Sequence, residues 1–193
     1  MNYFNGDWLG DCIILHEYLK STKLYVGNER SGLKFFNRDP KISKNLPISC
    51  KYGNTWRCMI GQRKRTYDPI SKGYLTKAKE ERPELDAVFK EFSNLHFPHI
   101  KWTDITINYM PVGSSIKIHT DGSNTDGESV LVAFGDYEGG ETFVENIKDK
   151  NYTPYDARLQ PVIFNGCKRK HFVSKVMKDD RYSIVFYKSK TKF

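Results

Sequence analysis

Apolar and polar positions follow two rhythms along the chain, and the change comes near residue 104. Before it, helical spacing dominates. Residues 11–20 (DCIILHEYLK) predict a short helix, and KLYVGNERSGLKFF predicts two strands around a turn at Gly27 and Asn28. PELDAVFKEFSNL predicts a second, clearer helix. Pro83 suits its first turn, and Leu85, Val88, Phe89, Phe92 and Leu95 recur at three- and four-residue spacing, a face expected to pack on a sheet. After residue 104 the period shortens to two. The runs DITINYM, SSIKIHTD, SVLVAFG, ETFVE, QPVIFNG, KHFVSKV and RYSIVFYK read as strands, with PVG, DGSNTDG and DYEGG as Gly-containing breaks. So many short strands in so little chain argue for an α+β, mainly β fold: an antiparallel sandwich or jelly roll, with the earlier helices bracing one sheet.

Length agrees with one domain over 1–193, in which 1–103 supports and 104–193 forms the core. At 38% hydrophobic and 14% aromatic residues the chain is too apolar to be disordered. No apolar stretch approaches the ~18–20 residues of a bilayer span. The first residues lack a basic lead-in, and the apolar run from Cys12 to Leu15 is too short for a signal peptide. A soluble intracellular protein is expected, nuclear, cytoplasmic or in a viral factory. Cys12, Cys50, Cys58 and Cys167 show neither C-x-x-C nor zinc-ligand spacing and read as reduced thiols.

Charge adds a direction. The net +8 leans towards a polyanion, and most of it lies between Arg57 and Lys79. There Arg57, Arg63, Lys64, Arg65, Lys72, Lys77 and Lys79 face a lone Asp68, with Tyr67 and Tyr74 interleaved. Basic side chains track a phosphate backbone and aromatic faces stack bases, although a solvated Lys-rich loop has the same composition.

The chemistry sits in the strands. In SSIKIHTD strict alternation would put Ile116 and Ile118 on one face, with Lys117, His119 and Asp121 on the other. An imidazole and a carboxylate side by side at a strand end can take adjacent positions on a metal. A second imidazole would complete the 2-His-1-carboxylate set that leaves open positions on non-haem Fe(II). His171 is the only downstream histidine. In RYSIVFYK, Arg181, Ser183 and Val185 share one face. A buried Arg–Ser pair is costly unless it meets an anion, and a guanidinium with a hydroxyl makes a good carboxylate clamp.

The order H-x-D, distal His, then R-x-S resembles the 2-oxoglutarate/Fe(II)-dependent dioxygenases, whose fold is a double-stranded β-helix. That resemblance covers residues 104–188. It implies that His119, Asp121 and His171 bind Fe(II), that Arg181 and Ser183 hold the distal carboxylate of 2-oxoglutarate, and that Tyr109 hydrogen-bonds this co-substrate. The resemblance also implies O2 as the oxidant and ascorbate as a stimulant. Within the superfamily the chain is most similar to the TET/JBP-type nucleobase oxygenases, through H-x-D-x-x-N (Asn124), Gly127 with Ser129, GDYEGGE, F-x-G (Phe164, Gly166) and the RYS strand. This implies hydroxylation of the methyl group of a modified pyrimidine, 5-methylcytosine or thymine, in nucleic acid, DNA before RNA. Arg63, Lys64, Arg65, Asn124, Lys168 and Arg169 are then the candidate nucleic-acid contacts of a monomer without a membrane partner. Two other readings share the iron chemistry. NYMPVGSSIKIHTD resembles AlkB-type demethylases, although Tyr187 stands where that pattern has a second arginine, and the H-x-D, GG turn and RYxI strand are shared with prolyl hydroxylases.

Overall fold

The computed structural model describes residues 3–21, 48–55, 74–75 and 82–190. Its first helix, α1 (Trp8–Ser21), starts where the Asp7 carboxylate accepts the Gly10 N–H at 2.9 Å, which satisfies one of the free donors of the first turn. The second, α2 (Leu85–His96), buries Leu85, Val88, Phe89 and Phe92 as its spacing predicts. Leu95 departs from that expectation and is 47% exposed. The stripe continues through Ser93, buried, and His96, half-buried, one turn on from Phe89 and Phe92, and this rotates Leu95 outward. The expected strand pair around Gly27 and Asn28 lies outside the described residues.

Twelve strands follow one another around the helices among the described residues: β1 (Ile48–Thr55), β2 (Tyr74–Leu75), β3 (Asp104–Met110), β4 (Ile116–His119), β5 (Ser129–Phe134), β6 (Glu138–Gly139), β7 (Thr142–Glu145), β8 (Tyr152–Tyr155), β9 (Val162–Phe164), β10 (His171–Val173), β11 (Val176–Lys178) and β12 (Arg181–Tyr187). All their pairings are antiparallel. One sheet has the order β2-β1-β3-β12-β5-β9, a second the order β4-β10-β7-β8, and β11-β6 forms a small ribbon. The fold is thus a jelly roll of the double-stranded β-helix kind, braced by helices. The strands expected beyond residue 104 are present, and KHFVSKV is divided between β10 and β11. The short β6 and the Pro-containing β8 were not foreseen.

Alternation sorts the larger sheet into two faces. Ile105 and Ile107 of β3, Val130, Val132 and Phe134 of β5, and Ile184 and Phe186 of β12 join Leu15, Leu19, Leu85, Phe89 and Phe92 of the helices in one apolar core. The residues between them, such as Met110, Leu131, Ala133 and Val185, face the smaller sheet and, with Val162 and Phe164 of β9 and Val144 and Val173 of the smaller sheet, form a second core. No described helix is long and apolar enough to cross a membrane.

Candidate metal and anion site

The second core is apolar at one end and polar at the other. At the polar end β4 and β10 are paired with His119 opposite His171, and Ile116 opposite Val173. A three-residue step of β4 thus spans a two-residue step of β10, so the strand carries a bulge. The bulge breaks the strict alternation expected of SSIKIHTD: Ile116 packs into the core, Ile118 is 56% exposed, and His119 still turns towards His171. Re-aiming one side chain in this way is what a β-bulge does.

The two imidazoles stand with ring centroids 4.2 Å apart. His119 Nδ1 donates to the Lys117 carbonyl at 2.8 Å and His171 Nδ1 to the Arg169 carbonyl at 3.0 Å. Each ring is fixed through the carbonyl two residues earlier, which leaves Nε2 as the ring nitrogen turned towards the group. Asp121 completes the group. Its Oδ1 lies 3.6 Å from His119 Nε2 and its Oδ2 3.6 Å from His171 Nε2. These separations are too long for hydrogen bonds and close to the ~3 Å between neighbouring ligands on an ion with ~2.1 Å bonds at right angles. The candidate ligand atoms all lie within 4.8 Å of one another. Burial is the main cause that lowers the pKa of His171, which keeps that imidazole neutral and able to donate a lone pair. Gly166 makes the space for Asp121: a Cβ there would come within 2.7 Å of Oδ2, and the Gly166 carbonyl accepts the Asp121 N–H at 2.8 Å. The donor set and its spacing fit a divalent metal with open coordination positions.

Arg181 enters the same interior from β12, on the other sheet. Its side chain is fully buried, and no described carboxylate pairs with it. Nη2 donates to Thr142 Oγ1 at 3.2 Å, Nη1 lies 3.5 Å from Met110 Sδ, and Nε has no acceptor among the described residues. Thr142 is on β7 opposite Val173, two residues from His171 in the same sheet, so Arg181 is tied directly to the sheet that carries both histidines. Gly140, at φ +68°, lets the chain pass the arginine, since a Cβ there would meet Arg181 Cδ at 2.8 Å. Burial lowers the Arg181 pKa, an effect that the nearby Tyr137 opposes. Tyr137 is itself pushed up to about 12, chiefly by burial, and its hydroxyl donates to Asp156 Oδ1 at 3.2 Å. Asp156 is in turn neutralised by Arg158 at 2.7 Å. Ser183, two residues along β12, is buried on the same face and accepts the Asn108 side-chain N–H at 3.4 Å. A buried guanidinium without a carboxylate among the described residues costs several kcal/mol, a cost that an anion beside it would offset.

Not every residue singled out from the sequence comes here. Tyr109 does not: β3 alternates, and the tyrosine shares the helix-covered face with Ile105 and Ile107. It packs on Tyr182 at 5.2 Å between centroids and donates its hydroxyl to Asp180 Oδ2 at 2.7 Å. Its neighbour Asn108 holds the inward position beside Ser183. Asn124 is not a surface contact either, being 4% exposed and bonded to Asp121. Lys168 is exposed but paired with Asp126 at 2.5 Å, and Arg169 Nε donates to the Glu145 carbonyl at 2.7 Å. Arg63, Lys64 and Arg65 lie outside the described residues. Sequence reasoning missed Asn108, Tyr137 and Thr142. For Thr142 the signal was present in the GG turn just before it, which brings β7 across the pocket.

No family model matches the chain, and no curated protein does. Solved structures do resemble it. An oxidoreductase of the 2OG-Fe(II) oxygenase family from Burkholderia pseudomallei is 20% identical, over 73% of this chain and 67% of that one, with a TM-score of 0.49. A prolyl-4-hydroxylase from Pseudomonas putida is 10% identical over 98% and 90%, with a TM-score of 0.46. NgTET1, solved in complex with 5mC DNA, is 14% identical over 77% and 62%, with a TM-score of 0.47. The chain therefore spans just under two thirds of the NgTET1 chain.

Proposed function

We propose that this chain is a 2-oxoglutarate- and Fe(II)-dependent dioxygenase, with the metal held by His119, Asp121 and His171. One observation carries the reading: a spaced His-Asp-His set shares its interior with a fully buried guanidinium that has no carboxylate partner among the described residues. A metal site alone has many uses. A metal site beside an unmatched cation suits a co-substrate that brings a carboxylate at one end and metal-binding oxygens at the other. Bound Fe(II) with 2-oxoglutarate and O2 supplies the oxidising power for hydroxylating a C–H bond.

The chain's own residues do the rest. Arg181 receives the far carboxylate, with Thr142 Oγ1 already oriented by Nη2 and Ser183 on the same face. The carbonyls of Lys117 and Arg169 hold the two imidazoles with Nε2 forward. Phe164, 4.9 Å from His171 between ring centroids, belongs with Val144, Val162 and Val173 to the buried apolar core beside the site. His119 is the open side, at 41% side-chain exposure against 8% for His171, so the molecule to be oxidised approaches there.

For the substrate we favour the methyl group of a modified pyrimidine in nucleic acid. The net charge of +8, the basic 57–79 segment and the TET/JBP-like motifs support it. A base in a duplex would have to be flipped out, at a cost of a few kcal/mol that phosphate contacts offset. The engagement of Lys168 and Arg169 with protein partners favours a second reading, the same hydroxylation on a peptide, because it removes two phosphate contacts from the mouth. Succinate formation under air with Fe(II) and 2-oxoglutarate, with and without 5-methylcytosine DNA, decides between them. A DNA-dependent rise with a +16 Da nucleoside, lost in Asp121→Ala, supports the first. A rise with prolyl peptide and unchanged nucleosides supports the second, and no succinate under any condition refutes both.

A further inference from the structure

We infer that Asn124 is a positioning residue for Asp121, selecting which carboxylate oxygen faces the metal; the inference rests on the iron centre proposed above. The two imidazoles do not make that selection, since each stands 3.6 Å from a different oxygen of Asp121. Asn124 breaks the tie. Its Nδ2 donates to Asp121 Oδ2 at 3.3 Å, and a carboxylate can only accept, so the amide is oriented with its NH2 group towards it. Gly166 closes on the same oxygen, leaving no room for a Cβ. Oδ2 is thus boxed between an amide and a glycine, while Oδ1 has no such partner among the described residues.

The backbone that carries this amide is itself anchored from three directions. Its backbone N–H donates to the Asp121 carbonyl at 3.0 Å and closes a turn straight after the ligand. Asn124 forms an isolated bridge with Ser189, just past the end of β12. On either side of it, the Thr125 N–H donates to the Lys188 carbonyl at 2.8 Å and the Lys190 N–H to the Ser123 carbonyl at 2.9 Å. The loop behind the ligand is therefore sewn to the strand that begins with Arg181, and the 4% exposure of Asn124 keeps water from competing for the carboxylate.

The consequence concerns the open positions. A carboxylate bound through both oxygens would take one of the sites that the co-substrate and O2 need. An oxygen already accepting an N–H is the poorer metal donor, so Asn124 holds Asp121 to attachment through Oδ1 alone. Partners of this kind, one step outside the ligands, typically account for 10–100-fold in metal affinity.

The test is a Co(II) titration of the full chain, reading the dissociation constant and the visible spectrum of the bound ion. Asn124→Leu, similar in shape and without a donor, should weaken Co(II) about 10–100-fold and change the spectrum, with the melting temperature as a control. Asn124→Ser, which keeps a hydroxyl donor, should recover part of the affinity. If Asn124→Leu does not fold, Asn124→Ala decides by the same two readings. Unchanged affinity together with an unchanged spectrum overturns the role of Asn124. Failure of the unmodified chain to bind Co(II) overturns the metal centre itself, and that failure shows before any substitution is made.

Discussion

The two faces of the larger sheet are built from the same strands, one residue out of step, and they do opposite things. On the helix-covered face Ile105, Ile107, Val132, Ile184 and Phe186 meet a nest of rings, in which Phe97 lies 5.1 Å and Phe92 6.4 Å from Phe186. On the inner face the neighbouring positions hold Asn108, Arg181 and Ser183, all buried. The first face stabilises the fold through apolar burial. The second carries a guanidinium whose desolvation opposes folding, together with polar groups aimed at a shared space. One strand, β12, serves both purposes, so the parity of a residue predicts whether its loss is felt as instability or as lost binding.

The sharpest way to break this contrast starts on the apolar face. Phe92→Ala should cost about 3–5 kcal/mol in denaturant unfolding, while the folded fraction binds metal as before. On the inner face the sign should reverse: Arg181→Met should leave stability unchanged or raise it by about 1–4 kcal/mol, because a buried charge with no carboxylate among the described residues is replaced by an apolar chain. A stability loss like that of Phe92→Ala would show that the arginine is structural.

A titratable side chain sits among the rings of the helix-covered face. His16 stacks on Phe134 at 5.6 Å and lies 4.9 Å from Tyr182, with Nε2 buried and without a hydrogen-bond partner among the described residues. Burial, the largest cause, and Lys20 lower its pKa. The folded state therefore binds the proton less readily than the unfolded state. Stability should fall as pH drops below the ordinary histidine value near 6.5, by up to about 1.4 kcal/mol per pH unit. His16→Phe should remove that contribution from the pH dependence of unfolding, and an identical slope would assign it to other groups. The smallest effect expected is that of Ser183→Ala, which should weaken 2-oxoglutarate by about 0.5–1.5 kcal/mol, read by calorimetry, without the stability change of Phe92→Ala.

Much of this was legible in the chain. Strict two-residue alternation with β-branched and aromatic residues marks β3 and β12, and the structure has them at 104–110 and 181–187. The proximity of His119, Asp121 and His171 was also readable, because H-x-D at a strand end and one later histidine leave few arrangements. Four things were hidden. The bulge in β4 leaves no trace in IKIH, which alternates perfectly as letters while the pairing to β10 slips. Tyr109 was assigned through a resemblance rather than through parity, and parity gives the inward place to Asn108. Asn124 reads as a polar loop residue, and only the folding of its loop against the residues after β12 buries it. Proline in β8 conceals a strand that is tolerated because it lies at the edge of its sheet.

The most direct test of the central claim is 2-oxoglutarate binding to the full chain in the presence and absence of Mn(II), measured by calorimetry without turnover. The account predicts one metal-dependent site in the unmodified chain, and for Arg181→Met a loss of at least about 100-fold, or roughly 2.7 kcal/mol, in a protein that remains folded. Binding that ignores the metal, or that survives Arg181→Met unchanged, would contradict it.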